Sequence, residues 1–270
     1  MNYRHAYHAG NVADVFKHFV LCETLHALHA KPTPFCVVDT HAGGGLYALK
    51  APGEFERGIG ELWRERAQWP ALARYFEVVA AHNGDALTQY PGSPLFIRAF
   101  LRAQDRAVLC ELHPEEHAAL RECIRDEPRI AVHKQDAWNA LKAFIPPREN
   151  RGLVLIDPPY EQPDEFKRIA RGLAQALTHW RNGMYLVWYP IKAYRPIEDF
   201  HDRLRTLGAP MYCAELLTSP LDVGTRLNGS GLILVNPPWT LPDYLKETLP
   251  ALARRLAGAT GAPQGRVRKL

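Results

Sequence analysis

The chain has 270 residues, 47% hydrophobic and 23% charged, close to the globular average, which excludes a disordered or fibrous protein and suits one large domain or a core with an insertion. Lys and Arg outnumber Asp and Glu by 33 to 29, a net charge of +4; this permits a nucleic-acid partner, but any basic surface must come from local clustering. Apolar runs fall short of the roughly 18 residues of a membrane span, the N-terminus does not open a signal peptide, and five cysteines lack CxxC spacing. Membrane, disulfide and zinc readings recede, and a reducing cytoplasm is expected.

The segment from Tyr3 to Asn11 is rich in aromatic, basic and histidine side chains. A helix follows, capped by Asn11, with Asp14 in its first turn and Val12, Val15, Phe16 and Phe19 as its apolar face. The first predicted strand, 35–39, runs into Thr40-His41-Ala42-Gly43-Gly44-Gly45, where glycines let a ligand approach the backbone. The spacing is neither GxGxxG nor a P-loop. From Leu46 to Asp105 lie about 60 residues, where a crossover needs about 30. With Trp63, Trp69, Leu72, Tyr75, Phe76 and Val79 at helical spacing, roughly 46–92 is read as an inserted helical subdomain of one domain spanning 1–270.

Further strands are predicted at 107–111, 130–132, 153–157, 184–189, 211–217 and 232–236, with helices at 114–125, 137–144, 163–180 and 196–207 between most of them. Alternation of strands and helices predicts an α/β fold with a mostly parallel, doubly wound sheet that binds ligands at the carboxyl ends of its strands. No helix separates the last two strands, so they are expected to pair as an antiparallel edge. The C-terminal Arg266-Val267-Arg268-Lys269-Leu270 is expected to fray.

Strand ends carry the chemistry. Glu111 after the second strand suits the hydroxyls of a ribose, or is an ordinary exposed glutamate. Asp136 after the third could accept from an adenine amino group, or cap the helix starting at Ala137. The fourth ends in Asp157-Pro158-Pro159-Tyr160. Two prolines stiffen that turn; the Asp157 carboxylate and Pro158 carbonyl can each accept one hydrogen of an exocyclic amine while Tyr160 stacks on its ring. Asn236-Pro237-Pro238-Trp239 fits the same pattern, but an antiparallel edge strand would end at the opposite side of the sheet, so Asp157 is preferred. The twelve histidines form no HExxH and no His/Cys quartet, so no metal site is expected. A serine nucleophile has no GxSxG, and Cys36 and Cys110 lie within predicted buried strands.

Together these strand ends resemble those of S-adenosylmethionine-dependent amino-methyltransferases. Tyr3-Arg4-His5, His8-Ala9-Gly10-Asn11, Ala13-Asp14, Lys17-His18, Asp39 to Gly43, Tyr90 to Pro94, Glu111 to Pro114 and Asp157 to Tyr160 are similar, more closely, to the bacterial RlmJ family, over a span from Tyr3 to Trp239. That family methylates adenine N6 in 23S ribosomal RNA. The resemblance implies a Rossmann-like core and S-adenosylmethionine bound against Lys17, His18, His41, Ser93, Glu111, Asp136, Ala137 and Asp157. It implies Asp157, Pro158 and Tyr160 as the catalytic group and Tyr3 and Arg4 as residues facing the RNA, in a monomer with no obligate protein partner. Ala137 departs from the family, which carries glycine there. Methylation of DNA adenine or protein glutamine, and a non-catalytic RNA-binding module, are the competing readings; a nicotinamide oxidoreductase would require the absent GxGxxG.

Overall fold

Uninterrupted runs of Val, Leu, Ile and Cys fold into strands buried on both faces, as a sheet covered by helices on both sides requires. A computed structural model describes residues 5–221, 227–258 and 263–270; Tyr3 and Arg4 lie outside them. The strands are β1 (Cys36–Asp39), β2 (Leu46–Ala48), β3 (Gln89–Pro91), β4 (Arg106–Cys110), β5 (Ile130–His133), β6 (Gly152–Ile156), β7 (Met184–Ile191), β8 (Met211–Leu217), β9 (Gly229–Val235) and β10 (Gln264–Lys269). The helices are α1 (His5–His8), α2 (Val12–Leu28), α3 (Ile59–Trp63), α4 (Ala73–Ala80), α5 (Ser93–Phe100), α6 (Pro114–Cys123), α7 (Ala137–Phe144), α8 (Glu165–His179), α9 (Tyr194–Arg205) and α10 (Leu241–Ala257).

Eight strands form one sheet in the order β10-β8-β9-β7-β6-β1-β4-β5. The run from β7 to β5 is parallel, while β9 lies antiparallel between β7 and β8. The fold is the expected mostly parallel, Rossmann-like α/β architecture, and the last two predicted strands do form an antiparallel edge. Alternate side chains divide the core. Val37, Leu109, Leu155 and Leu234 pack with Phe16 and Phe19 of α2 and Leu245 of α10. Val38, Val108, Val154 and Ile156 pack with Ile169 and Leu173 of α8 and Phe200 of α9. Each such side chain contributes roughly 1.5–3 kcal/mol by leaving water. Among the described residues no helix is long and apolar enough to cross a membrane.

Between β1 and α5 the chain forms β2, three single turns of 3-10 helix, α3, α4 and β3. The predicted apolar residues are buried, Trp69 only partly. The unforeseen feature is the antiparallel β2–β3 pair that brings the two ends of the stretch together, Tyr47 opposite Tyr90. Helix α9 starts at Tyr194, two residues before its predicted first residue.

The C-terminus is a correction. Instead of fraying, β10 pairs antiparallel with β8, Val267 opposite Ala214. A buried acid explains it. Glu215 on β8 is fully buried and accepts from Arg266 Nε at 2.6 Å, with an Arg268 nitrogen 3.7 Å away. Removing β10 would strand this carboxylate in the core. His201, Cys213 and Glu215 lie close enough to share a cation, and Arg268 already serves as that cation, reaching Cys213 Sγ at 3.1 Å and His201 Nδ1 at 3.2 Å.

Candidate active site

The carboxyl ends of β1, β4, β5 and β6 and the N-termini of α2 and α5 converge on a cleft of about 670 Å³. It lies where doubly wound sheets bind ligands. Lys17, His18, His41, Ser93, Glu111, Asp136, Ala137, Asp157, Pro158 and Tyr160, all named from the sequence, line this one cavity.

Asp157 leaves the end of β6 as the diproline begins. Its Oδ2 accepts from Lys17 Nζ at 2.6 Å, and Lys17 also donates to Asp14 Oδ1 at 2.8 Å. Helix α2 makes this possible. Asn11 caps it through Asp14 N–H, which sets Asp14 and Lys17 one turn apart on the face toward β6. Burial opposes the ammonium charge, but the two carboxylates overcome it and raise the Lys17 pKa above its ordinary value. Two carboxylates around one ammonium leave a net negative charge of one in a sparsely solvated site. The other Asp157 oxygen, Oδ1, takes no hydrogen bond among the described residues.

Tyr160 adopts φ +52°, a left-handed backbone that bulky residues rarely take. Such strain costs on the order of 1–3 kcal/mol and persists only where the surroundings impose it. The Tyr160 hydroxyl donates to the Trp188 carbonyl at 2.8 Å, and the ring meets Trp188 edge-on with centroids 5.7 Å apart. The ring is thereby held upright at the wall of the cleft.

On the other side, Asp39 is fully buried. Burial pushes its pKa up to about 7, against the hydrogen bonds from Ser93 Oγ, at 2.6 Å, and the His41 N–H. His41 is held neutral, its pKa lowered to about 4 by burial, and its Nδ1 faces the Asp157 N–H at 3.4 Å. His18 is buried between Tyr90, which meets its Nδ1 at 2.9 Å, and Phe96 stacked at 4.7 Å.

Glu111 is no ordinary exposed glutamate. Its oxygens accept from Gly43 N at 2.8 Å and from His113 N at 2.7 Å. Gly43 takes φ +62°, and a Cβ there would strike the Tyr47 hydroxyl, so glycine is required on both counts. Asp136 does cap α7, accepting from Trp138 N and Asn139 N, while its side chain lines the cleft.

Asn236 lies elsewhere. At the far end of the sheet its Nδ2 donates to the carbonyls of Arg181 and Gly183, just ahead of β7. Several cleft residues escaped the sequence reading. Asp14 could have been linked to Lys17 by its i,i+3 spacing. Leu112, 51% exposed, Glu54 and Trp188 also line the cleft, and nothing local to them signals it.

Comparisons with known proteins identify the family. Residues 32–267 match the family model described as "Ribosomal RNA large subunit methyltransferase D, RlmJ". The chain is 38% identical over 266 residues to the Escherichia coli "Ribosomal RNA large subunit methyltransferase J", covering 96% of this chain and 95% of that one. The Haemophilus influenzae protein of the same name is 37% identical over 264 residues, covering 95% and 94%. A crystal structure of protein LPL1258 from Legionella pneumophila superposes with a TM-score of 0.91 at 35% identity, covering 97% of this chain and 98% of that one. A probable spermidine synthase from Corynebacterium glutamicum, 12% identical with a TM-score of 0.52 over 96% of this chain and 76% of that one, shares the fold alone. The chain belongs to the RlmJ family of ribosomal RNA large subunit methyltransferases.

Proposed function

We propose that this protein is an rRNA methyltransferase that transfers a methyl group from S-adenosylmethionine to the exocyclic N6 amino group of an adenine in 23S ribosomal RNA. The observation that carries this reading is the Asp157 carboxylate at the end of β6, charge-balanced by Lys17 and placed beside the Pro158 carbonyl and the Tyr160 ring.

The walls suit the cofactor. The cleft volume of about 670 Å³ falls in the range of small-molecule sites, roughly 300–1,000 Å³. The Gly43 turn provides a close backbone floor, Glu111 retains lone pairs for a ribose, and half-exposed Leu112 offers an apolar wall to an adenine. Lys17, His18, His41, Ser93, Glu111, Asp136, Ala137 and Asp157 would hold it, with 46–92 as an inserted helical subdomain closing that side. When bound, S-adenosylmethionine supplies an electrophilic methyl on a sulfonium sulfur.

The adenine N6 lone pair is delocalised into the ring and is a poor nucleophile. Asp157 Oδ1 and the Pro158 carbonyl draw the two amine hydrogens apart, which localises the lone pair, while Tyr160 fixes the ring plane by stacking. The net negative charge of Asp14, Lys17 and Asp157 favours a neighbouring cation. As the N–C bond formed, the methyl–sulfur bond would break with its electron pair left on the sulfur of a neutral thioether, and the amine would lose one proton, which Asp157 is placed to accept. Lys17 holds that carboxylate in one orientation from a helix terminus. This positioning keeps the acceptor from rotating away.

The experiment is transfer of radiolabelled methyl from S-adenosylmethionine to protein-free large-subunit rRNA lacking its natural methylation, followed by digestion to nucleosides. Label in N6-methyladenosine, lost with Asp157→Ala, is expected. Label in another nucleoside, or undiminished label with the variant, overturns the assignment.

A further inference from the structure

Between β2 and β3 one side chain reaches the cleft. Glu54, in the 3-10 turn Glu54–Arg57, lines the cleft. Its Oε2 accepts from His8 Nδ1 and from Asn11 Nδ2, both at 2.9 Å. These residues flank Gly10, whose φ of +75° turns α1 into α2. Asn11 Oδ1 accepts from Asp14 N; Asp14 accepts from Gly10 N and Lys17 Nζ; Lys17 donates to Asp157. An unbroken run of hydrogen bonds thus joins Glu54 to the proposed proton acceptor. The same stretch also grips the backbone, where Ile59 N donates to the Gly10 carbonyl at 2.9 Å.

We propose that Glu54 is a positioning residue that pins the N-terminal segment, through His8 and Asn11, against the cleft so that substrate RNA meets Asp157 in register. The proposal rests on the methyltransferase reading and assigns a specific task to the stretch between β1 and β4.

Exposed ion pairs stabilise little in themselves, and the His8 and Glu54 side chains are about a third and two-fifths exposed. The effect lies in geometry, since the two hydrogen bonds fix where the residues flanking Gly10 stand beside the cleft that the RNA enters. The solvent access also makes the contact responsive to protons. The hydrogen bond to Glu54, against burial, raises the His8 pKa, and the charges of Glu54 and of Asp14 on α2 act in the same direction. The Glu54 pKa is lowered in turn, His8 being the main cause. The bond is charge-assisted while His8 is protonated and weakens as pH rises through that raised value.

Glu54→Ala and Glu54→Gln test this in the full-length protein, with kcat, KM for rRNA, affinity for S-adenosylmethionine and Tm measured between pH 6 and 9. Glu54→Ala is expected to raise KM for rRNA about tenfold, with cofactor affinity and kcat changing less than about twofold, because it removes two hydrogen bonds to a carboxylate. Glu54→Gln keeps an acceptor for Asn11 and is expected to recover most of KM at low pH, with kcat/KM falling at a lower pH than in the wild type. Wild-type KM in both variants overturns the proposal, as does a joint fall of cofactor affinity, kcat and Tm, which would mark a purely structural role. If the wild type transfers no methyl to rRNA, the activity reading fails. Anisotropy of a fluorescently labelled fragment of large-subunit rRNA then decides the Glu54 question: about tenfold weaker binding by Glu54→Ala sustains it, and unchanged binding ends it.

Discussion

Asp157-Pro158-Pro159-Tyr160 and Asn236-Pro237-Pro238-Trp239 end strands that run in opposite directions, β6 parallel and β9 antiparallel to β7. Each contains one left-handed residue, Tyr160 at φ +52° and Asn236 at φ +49°. In the first turn a carboxylate meets a buried lysine and an aromatic ring stands in a cleft. In the second an amide tethers two loop carbonyls and Trp239 is 89% exposed. The tetrapeptide alone therefore makes a stiff turn. What makes a candidate site is the edge of the sheet it lands on, where α2 and the ends of β1, β4 and β5 also arrive.

Asp157→Ala should show the largest effect, a fall in kcat of about 1,000-fold or more with cofactor binding partly retained, as expected when a proton acceptor and a fixed hydrogen bond are lost together; the methyl-transfer assay reads it. Lys17→Met would leave Asp14 and Asp157 without their cation. A loss of about 3 kcal/mol in stability and on the order of 100-fold in kcat is expected by chemical denaturation and single-turnover assay. Unaltered turnover there would mean that Asp157 needs no positioning by α2.

The comparison sharpens with pH. Asp39 retains its proton up to about pH 7 in the folded chain, against roughly 3.9 unfolded. Because the folded state binds the extra proton between these values, its contribution to stability is complete below about pH 4 and is lost as pH rises through 7. Relative to Asp39→Asn, the wild type should lose on the order of 2–4 kcal/mol across that window, measured as the difference between two denaturation series.

Asn236→Ala tests the other turn. It removes two hydrogen bonds at a left-handed position and should cost about 1–2 kcal/mol in stability, with methyl transfer within about twofold of wild type. Trp239→Ala should be nearly silent, within about 0.5 kcal/mol by thermal denaturation. A large loss of activity in either variant would show that the second turn is functional too.

The doubly wound sheet was legible because strands buried on both faces must be apolar throughout, and the crossovers between them leave helical spacings. The cleft residues were legible because glycines, carboxylates and a diproline recur at successive strand ends. The basic C-terminus was misread as fraying because its partner, Glu215, lies 51 residues from Arg266. A charged strand facing solvent looks like a tail until the buried acid across from it is known.

Composition, periodicity and turn chemistry thus determined which segments become strands, which helix Asn11 caps and which acids stand at strand ends, since all of these depend on neighbours within a few residues. The ion pair of Lys17 with Asp157, the contact of Glu54 with His8 and the opposite fates of the two diproline turns were decided only by the tertiary structure. Their partners are separated by up to 140 residues. A charged or polar side chain selects among distant partners only once packing has brought them within about 3 Å.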